Sequence, residues 1–267
     1  MIEKYIKSDR GQVFYWITED WNEKKETLFF LHGLTANHTM FEKQIAFFKS
    51  EYNIIAWDAQ GHGKSRPYEN FSFAGAVEDM KQILDVNGVK RVVMLGQSLG
   101  GYFIQSFIQR YPEYVIAFVG IDTSPYGDGY YSFLDKWILR QVEWMAKLYP
   151  FSIMKEAIAR QSTETEVGRR NMREMLSVYD KNELCHLMGS YYAEVLKENK
   201  NMKIGCPVLL LLGEHDRIGK VKQYCRKWAQ KTGYPLIIIK GAGHNSNVDN
   251  PNEVNRRIKC FLERYGY

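Results

Sequence analysis

A serine, a carboxylate and an imidazole are together the side chains that make a nucleophile, and this chain carries one of each in a telling context. The serine is Ser98, set in Gly96-Gln97-Ser98-Leu99-Gly100 directly after the apolar run Val92-Val93-Met94-Leu95. G-x-S-x-G at the end of a buried strand predicts a sharp strand-to-helix turn. Its glycines remove Cβ atoms that would collide on either side of a strained central residue. Such a turn holds the hydroxyl out of the sheet and at a helix N-terminus, where partial positive charge favours an oxyanion. A serine hydroxyl is a poor nucleophile at neutral pH and needs a base within hydrogen-bond reach. His244, in Gly241-Ala242-Gly243-His244, is the candidate base. Asp216, in Gly213-Glu214-His215-Asp216, is the candidate acid that would fix its tautomer and stabilise the imidazolium. Asp122 and Glu214 are rival carboxylates for that role. The chain order Ser, Asp, His differs from the orders of the chymotrypsin and subtilisin types.

These residues can meet only if strand ends bring them together. Apolar, β-rich runs precede every one of them: Thr27 to Leu31 before His32-Gly33-Leu34, Ile54 to Trp57 before Asp58, Val208 to Leu212 before Gly213, and Leu236 to Ile239 before Gly241. The opening reads as a hairpin, Lys4 to Lys7 and Gln12 to Thr18 around Ser8-Asp9-Arg10-Gly11. Beyond it, short strands alternate with amphipathic helices, the pattern of a parallel sheet covered on both faces. Phe41, Ile45 and Phe48 have helical spacing, as do Phe103 and Phe107 after the serine turn, and Val254, Ile258, Phe261 and Leu262 near the C-terminus. Asn250, Pro251 and Glu253 supply N-cap, first-position and third-position signals for that last helix. The segment from about Ser124 to Tyr179 breaks the alternation. It is helical, aromatic and methionine-rich, with Leu134, Ile138, Val142 and Met145 marking one stripe.

Taken together, Gly33 after His32, the loop Asp58-Ala59-Gln60-Gly61-His62-Gly63-Lys64-Ser65, the Ser98 turn, Asp216 and His244 resemble the motifs of the α/β-hydrolase superfamily. The resemblance covers nearly the whole chain and is weakest in its middle. It implies an α/β fold with a mostly parallel central sheet flanked by helices and a helical cap inserted after the sixth core strand. The core would be 1–123 and 180–267, and the cap 124–179. It also implies an oxyanion hole made of the backbone N–H groups of Leu34 and Leu99. The chain lacks the H-G-G-G form of one lipase and esterase branch and the H-G-G-P-G form of proline iminopeptidase-like relatives. Epoxide hydrolases and haloalkane dehalogenases of the superfamily carry aspartate where this chain has Ser98. Hydrolysis of a small to medium carboxylic ester through an acyl-enzyme is therefore the leading expectation. Thioester, lactone or C–C bond hydrolysis, or acyl transfer, would use the same three residues. A reading of another class is a small-molecule receptor built on the hydrolase fold. Tyr126, Trp137 and Met145 are the candidate walls of an apolar substrate pocket.

Composition narrows the rest. The 267 residues are 45% hydrophobic with a net charge of +5, enough for a core and without a run of like charge suited to nucleic acid. Cys185, Cys206, Cys225 and Cys260 are widely spaced and form no C-x-x-C pair, which points to reduced thiols. The six histidines show no metal-ligand spacing, so neither metal nor cofactor is expected. His32 and His62 are expected to tie loops down, and His38 and His186 receive no role. The charged N-terminus and the absence of a long apolar stretch lead to the expectation of a cytoplasmic protein with a small apolar ester as its partner and no stable membrane insertion.

Overall fold

The computed structural model describes residues 1–267. The chain opens with an antiparallel hairpin, β1 (Ile2–Ser8) and β2 (Gly11–Ile17), with Asp9 and Arg10 in the turn. Six strands follow: β3 (Thr27–Leu31), β4 (Asn53–Trp57), β5 (Val92–Gln97), β6 (Val115–Ile121), β7 (Val208–Gly213) and β8 (Leu236–Ile239). They form one sheet in the order β1-β2-β4-β3-β5-β6-β7-β8. The β1–β2 and β2–β4 pairs are antiparallel and all others parallel. This is an α/β-hydrolase fold. Every residue of β3, β4 and β5 is buried. That is why these strands read as continuous apolar runs without alternation: both faces of the sheet are covered.

The covering helices of the core are α1 (Glu42–Phe48), α2 (Phe73–Val86) and α3 (Leu99–Arg110) in the first half. Phe103 of α3 meets Trp57 of β4 edge to face at 5.1 Å, a contact worth roughly 0.5–1.5 kcal/mol beyond the area it buries. Between β6 and β7 the chain makes five helices: α4 (Phe133–Arg140), α5 (Val142–Lys147), α6 (Phe151–Ser162), α7 (Glu166–Leu176) and α8 (Lys181–Glu198). The second half of the core adds α9 (Val221–Thr232), α10 (Ser246–Asp249) and α11 (Pro251–Arg264). Asn250 caps α11 by accepting from the Glu253 amide, and Val254, Ile258, Phe261 and Leu262 form its buried face.

Helix α8 packs against α4 and α5 and also touches α2 of the core. The expected division at residue 179 therefore falls between helices that pack on one another. We group α8 with the insertion, as the element that joins it to the core.

The sheet fixes where a site can form. The strand order reverses around β3, with β4 on one side and β5 on the other. The carboxyl ends of β3 and β5 thus lie side by side at a switch point, the place where sheets of this kind bind ligands.

Candidate active site

Ser98 stands alone between β5 and α3, with φ 49° and ψ −111°. A non-glycine residue in the positive-φ region is held there only by its surroundings. Its N–H donates to the Ile121 carbonyl at 2.9 Å, and its carbonyl accepts from the Thr123 hydroxyl at 2.6 Å. Gly100 is required by space: a Cβ there would lie 2.0 Å from the Leu31 carbonyl oxygen at the end of β3. The same close approach recurs at Gly33, where a Cβ would lie 2.1 Å from Gln97 Oε1 and 3.3 Å from Ser98 Cβ. The loop after β3 is thereby pressed against the serine. The amides of Leu34 in that loop and of Leu99 at the start of α3 are bonded to no carbonyl. The Ser98 hydroxyl does not cap the helix it begins.

On the far side, Asp216 and His244 come from the loops after β7 and β8. His244 Nδ1 lies 2.9 Å from Asp216 Oδ2, and both side chains are buried. The other carboxylate oxygen of Asp216 accepts from the Ile218 amide at 2.9 Å, which fixes the plane of the group. With Nδ1–H donating to the carboxylate, Nε2 of a neutral ring is left as an acceptor. No hydrogen bond joins it to Ser98 Oγ in the resting structure. Burial lowers the affinity of the imidazole for a proton, but the Asp216 charge, its hydrogen bond and the Asp122 charge outweigh that and raise the pKa above 6.5.

Asp122 sits behind this pair, fully buried at the end of β6 with φ 47°. Its oxygens accept from the Gly213 amide at 2.6 Å and the Ser246 amide at 2.9 Å. It ties the loops of Asp216 and His244 together and makes no hydrogen bond to the imidazole. Burial, and then the neighbouring Asp216 charge, push its pKa up. Glu214 points away, accepting from the Gly241 amide at 3.0 Å on the surface.

Two positioning groups carried no signal in the sequence. Gln97 is buried and donates Nε2 to the His244 carbonyl at 2.9 Å and to Asn245 Oδ1 at 3.2 Å. Asp249 accepts from the Gly243 amide at 2.8 Å and from the Glu164 and Thr165 amides at 2.8 and 3.0 Å, so one carboxylate holds both the His244 loop and the insertion. Asn245 adds a bond from its amide to the Ser162 carbonyl at 2.7 Å.

His32 and His62 join loops to one another. His32 donates Nδ1–H to the Gly33 carbonyl at 2.8 Å and accepts from the Ala59 amide at 2.9 Å. His62 accepts from the Thr35 amide at 3.1 Å and donates to the Gln60 carbonyl at 3.0 Å. Burial lowers their pKa values to about 4 and about 3. His38, given no role, bonds through Nδ1 to Asp58 at 2.7 Å and stacks on Trp16.

The candidate substrate residues do not converge. Tyr126 is buried with its hydroxyl 3.0 Å from Ser106. Trp137 and Met145 are 50% and 38% exposed. Helices α4 and α5 each bury a single residue, Asp135 and Ala146, and leave most of their apolar side chains exposed. No group of three or more His, Cys, Asp or Glu is arranged to hold a metal ion.

Known proteins share this architecture. The chain is 26% identical to epoxide hydrolase 4 of Mus musculus, over 97% of this chain and 79% of that protein. It is also 26% identical to the carboxylesterase YbfK of Bacillus subtilis, over 88% of this chain and 80% of that protein. Among solved structures, a thermophilic esterase from Thermogutta terrifontis superposes with a TM-score of 0.80 at 19% identity, covering 99% of both chains. Residues 26–251 match the model of the alpha/beta hydrolase fold family. The chain belongs to that family and is a hydrolase.

Proposed function

We infer that this hydrolase cleaves carboxylic esters through an acyl-enzyme on Ser98. Ser98 Oγ attacks the acyl carbon as His244 Nε2 takes its proton. The carbonyl oxygen becomes an oxyanion facing the free N–H groups of Leu34 and Leu99; one such donor is worth about 2.7–4 kcal/mol in the transition state. Collapse breaks the bond to the alcohol, which leaves with the proton from the imidazolium. Water then gives a proton to His244 and attacks the acyl carbon, and the second collapse releases the acid and restores Ser98. Asp216 keeps the proton on Nδ1 throughout and stabilises the imidazolium without accepting the proton. The insertion acts as a cap over this centre.

The observation that carries this reading is the buried Asp216–His244 hydrogen bond on the loops beside a strained serine and two unpaired amides. The nucleophile separates ester from epoxide chemistry. Opening an epoxide through an ester intermediate needs a carboxylate at the turn, and this chain offers a hydroxyl. The likeness to a carboxylesterase over 88% of the chain agrees with that choice.

The test is a fluorophosphonate probe combined with turnover on p-nitrophenyl esters from acetate to decanoate. The expected result is labelling that Ser98→Ala abolishes, with steady turnover of at least the shorter esters. One slow acylation per chain without turnover favours the receptor reading. Labelling that persists in Ser98→Ala overturns the assignment.

A further inference from the structure

Helices α4 and α5 expose apolar side chains to solvent. Phe133 is 82% exposed and Trp144 62%, with Leu134, Trp137, Leu148 and Ile153 also at least half exposed nearby. Elsewhere Phe47 and Val86 stand alone, and the smaller group Met1, Ile2 and Tyr5 lies at the start of the chain. A cluster on consecutive helices marks a surface that something covers.

Charge says what covers it. The segment Phe133–Lys155 carries Lys136, Arg140, Lys147 and Lys155 against Asp135 and Glu143. Asp135 is buried and held by Lys220 at 2.6 Å, and Glu143, the other acid of the segment, is half-buried. Lys136 pairs with Asp128 and Lys147 with Glu143, while Arg140 and Lys155 meet no carboxylate. Lys155 lies over the Phe151 ring at 4.4 Å. Tryptophan, phenylalanine and leucine rimmed by long cations is the composition of helices that lie in a membrane interface, with apolar groups at the acyl boundary and cations reaching back to phosphates.

We propose that α4 and α5 dock this protein on an anionic lipid surface. No helix of the chain is long and apolar enough to cross a membrane, so the contact is one of lying on the surface. A second copy is a poorer occupant, because a two-fold contact would bring the same unpaired cations face to face. This docking is independent of the chemistry at Ser98.

The test is co-sedimentation of the full chain with vesicles of equal parts phosphatidylglycerol and phosphatidylcholine, and with phosphatidylcholine alone. Binding is expected on the first, weaker on the second, and falling as salt is raised. Phe133→Ser/Trp144→Ser/Leu148→Ser should lose about tenfold or more in partitioning. Arg140→Glu/Lys155→Glu, which keeps the exposed Phe133, Trp144 and Leu148 and gives up only the Lys155–Phe151 contact, should lose binding on the anionic vesicles alone. Light scattering covers the other occupant: a dimer that the triple variant turns into a monomer overturns the proposal. So does an absence of vesicle binding, or binding that neither variant changes.

Discussion

The side-chain amide of Gln97 donates to the backbone carbonyl of His244 at 2.9 Å. The residue that precedes the proposed nucleophile therefore holds the chain of the proposed base. Gln97→Leu keeps most of the volume and removes the donor, leaving a buried carbonyl unpaired at a cost of about 1–3 kcal/mol. Ester turnover should drop by roughly ten- to a hundredfold through kcat, with KM little changed. Steady-state kinetics on p-nitrophenyl acetate read this directly, and a wild-type kcat would remove Gln97 from the machinery.

Asp216 and Asp122 are both buried beside the imidazole, yet only Asp216 bonds to it. Asp216→Asn should lower turnover by about 10⁴-fold, as loss of tautomer control does in other serine enzymes. Asp122→Asn retains one good acceptor for two amide donors. Its main effect should be a lower melting temperature, with kcat within about tenfold of wild type and destabilisation of about 1–3 kcal/mol. Kinetics and thermal melts on the pair of variants decide between them; the reverse pattern would move the orienting role to Asp122.

The proposed base, His244, must be neutral to accept a proton, and its pKa is raised above 6.5 by Asp216 and Asp122 against the effect of burial. Activity should therefore be full well above that pKa and fall about tenfold per unit below it. Asp122→Asn removes one of the charges that raise the value, so the acid limb of its kcat/KM profile should move to lower pH. A profile that is flat from pH 8 to pH 5 would exclude His244 as the base.

How much of this was legible beforehand follows from where each signal resides. Ser98 and Asp216 stand out because each follows an apolar run that is buried on both faces, and His244 because it follows the half-buried apolar edge strand β8, so strand ends could be read directly. Gln97 and Asp249 did not stand out, because their partners lie far away in the chain and nothing local distinguishes them. The spacing of Leu134, Ile138, Val142 and Met145 predicts one stripe, but the helix breaks at Gln141, which puts the first two on α4 and the last two on α5. Spacing reports neither where a helix breaks nor which way a face turns, and here Leu134, Ile138 and Met145 are more than a third exposed while Val142 is half-buried.

His32 and His62 lead to a stability prediction. Both are neutral and buried, with pKa values near 4 and 3, whereas in the unfolded chain they titrate near 6.5. Below pH 6.5 the unfolded state binds protons that the folded state refuses, so stability present above that pH is lost as pH falls towards 4. Each group contributes up to about 1.4 kcal/mol per pH unit in that window. His62→Gln should show a shallower decline of melting temperature between pH 6.5 and 4.5 than wild type. A slope identical to wild type would show that His62 is not held neutral.

The Asp249 clamp has a mechanical consequence. Gly243 and Asn245, which flank His244, are fastened to the insertion at Ser162, Glu164 and Thr165. If the insertion lifted at that edge, it would drag the imidazole off its mark whenever the door stood open. The α4–α5 edge has no such tether to residues 243–245. With that edge fastened, an opening of the insertion elsewhere along its length would leave the proposed proton acceptor in place.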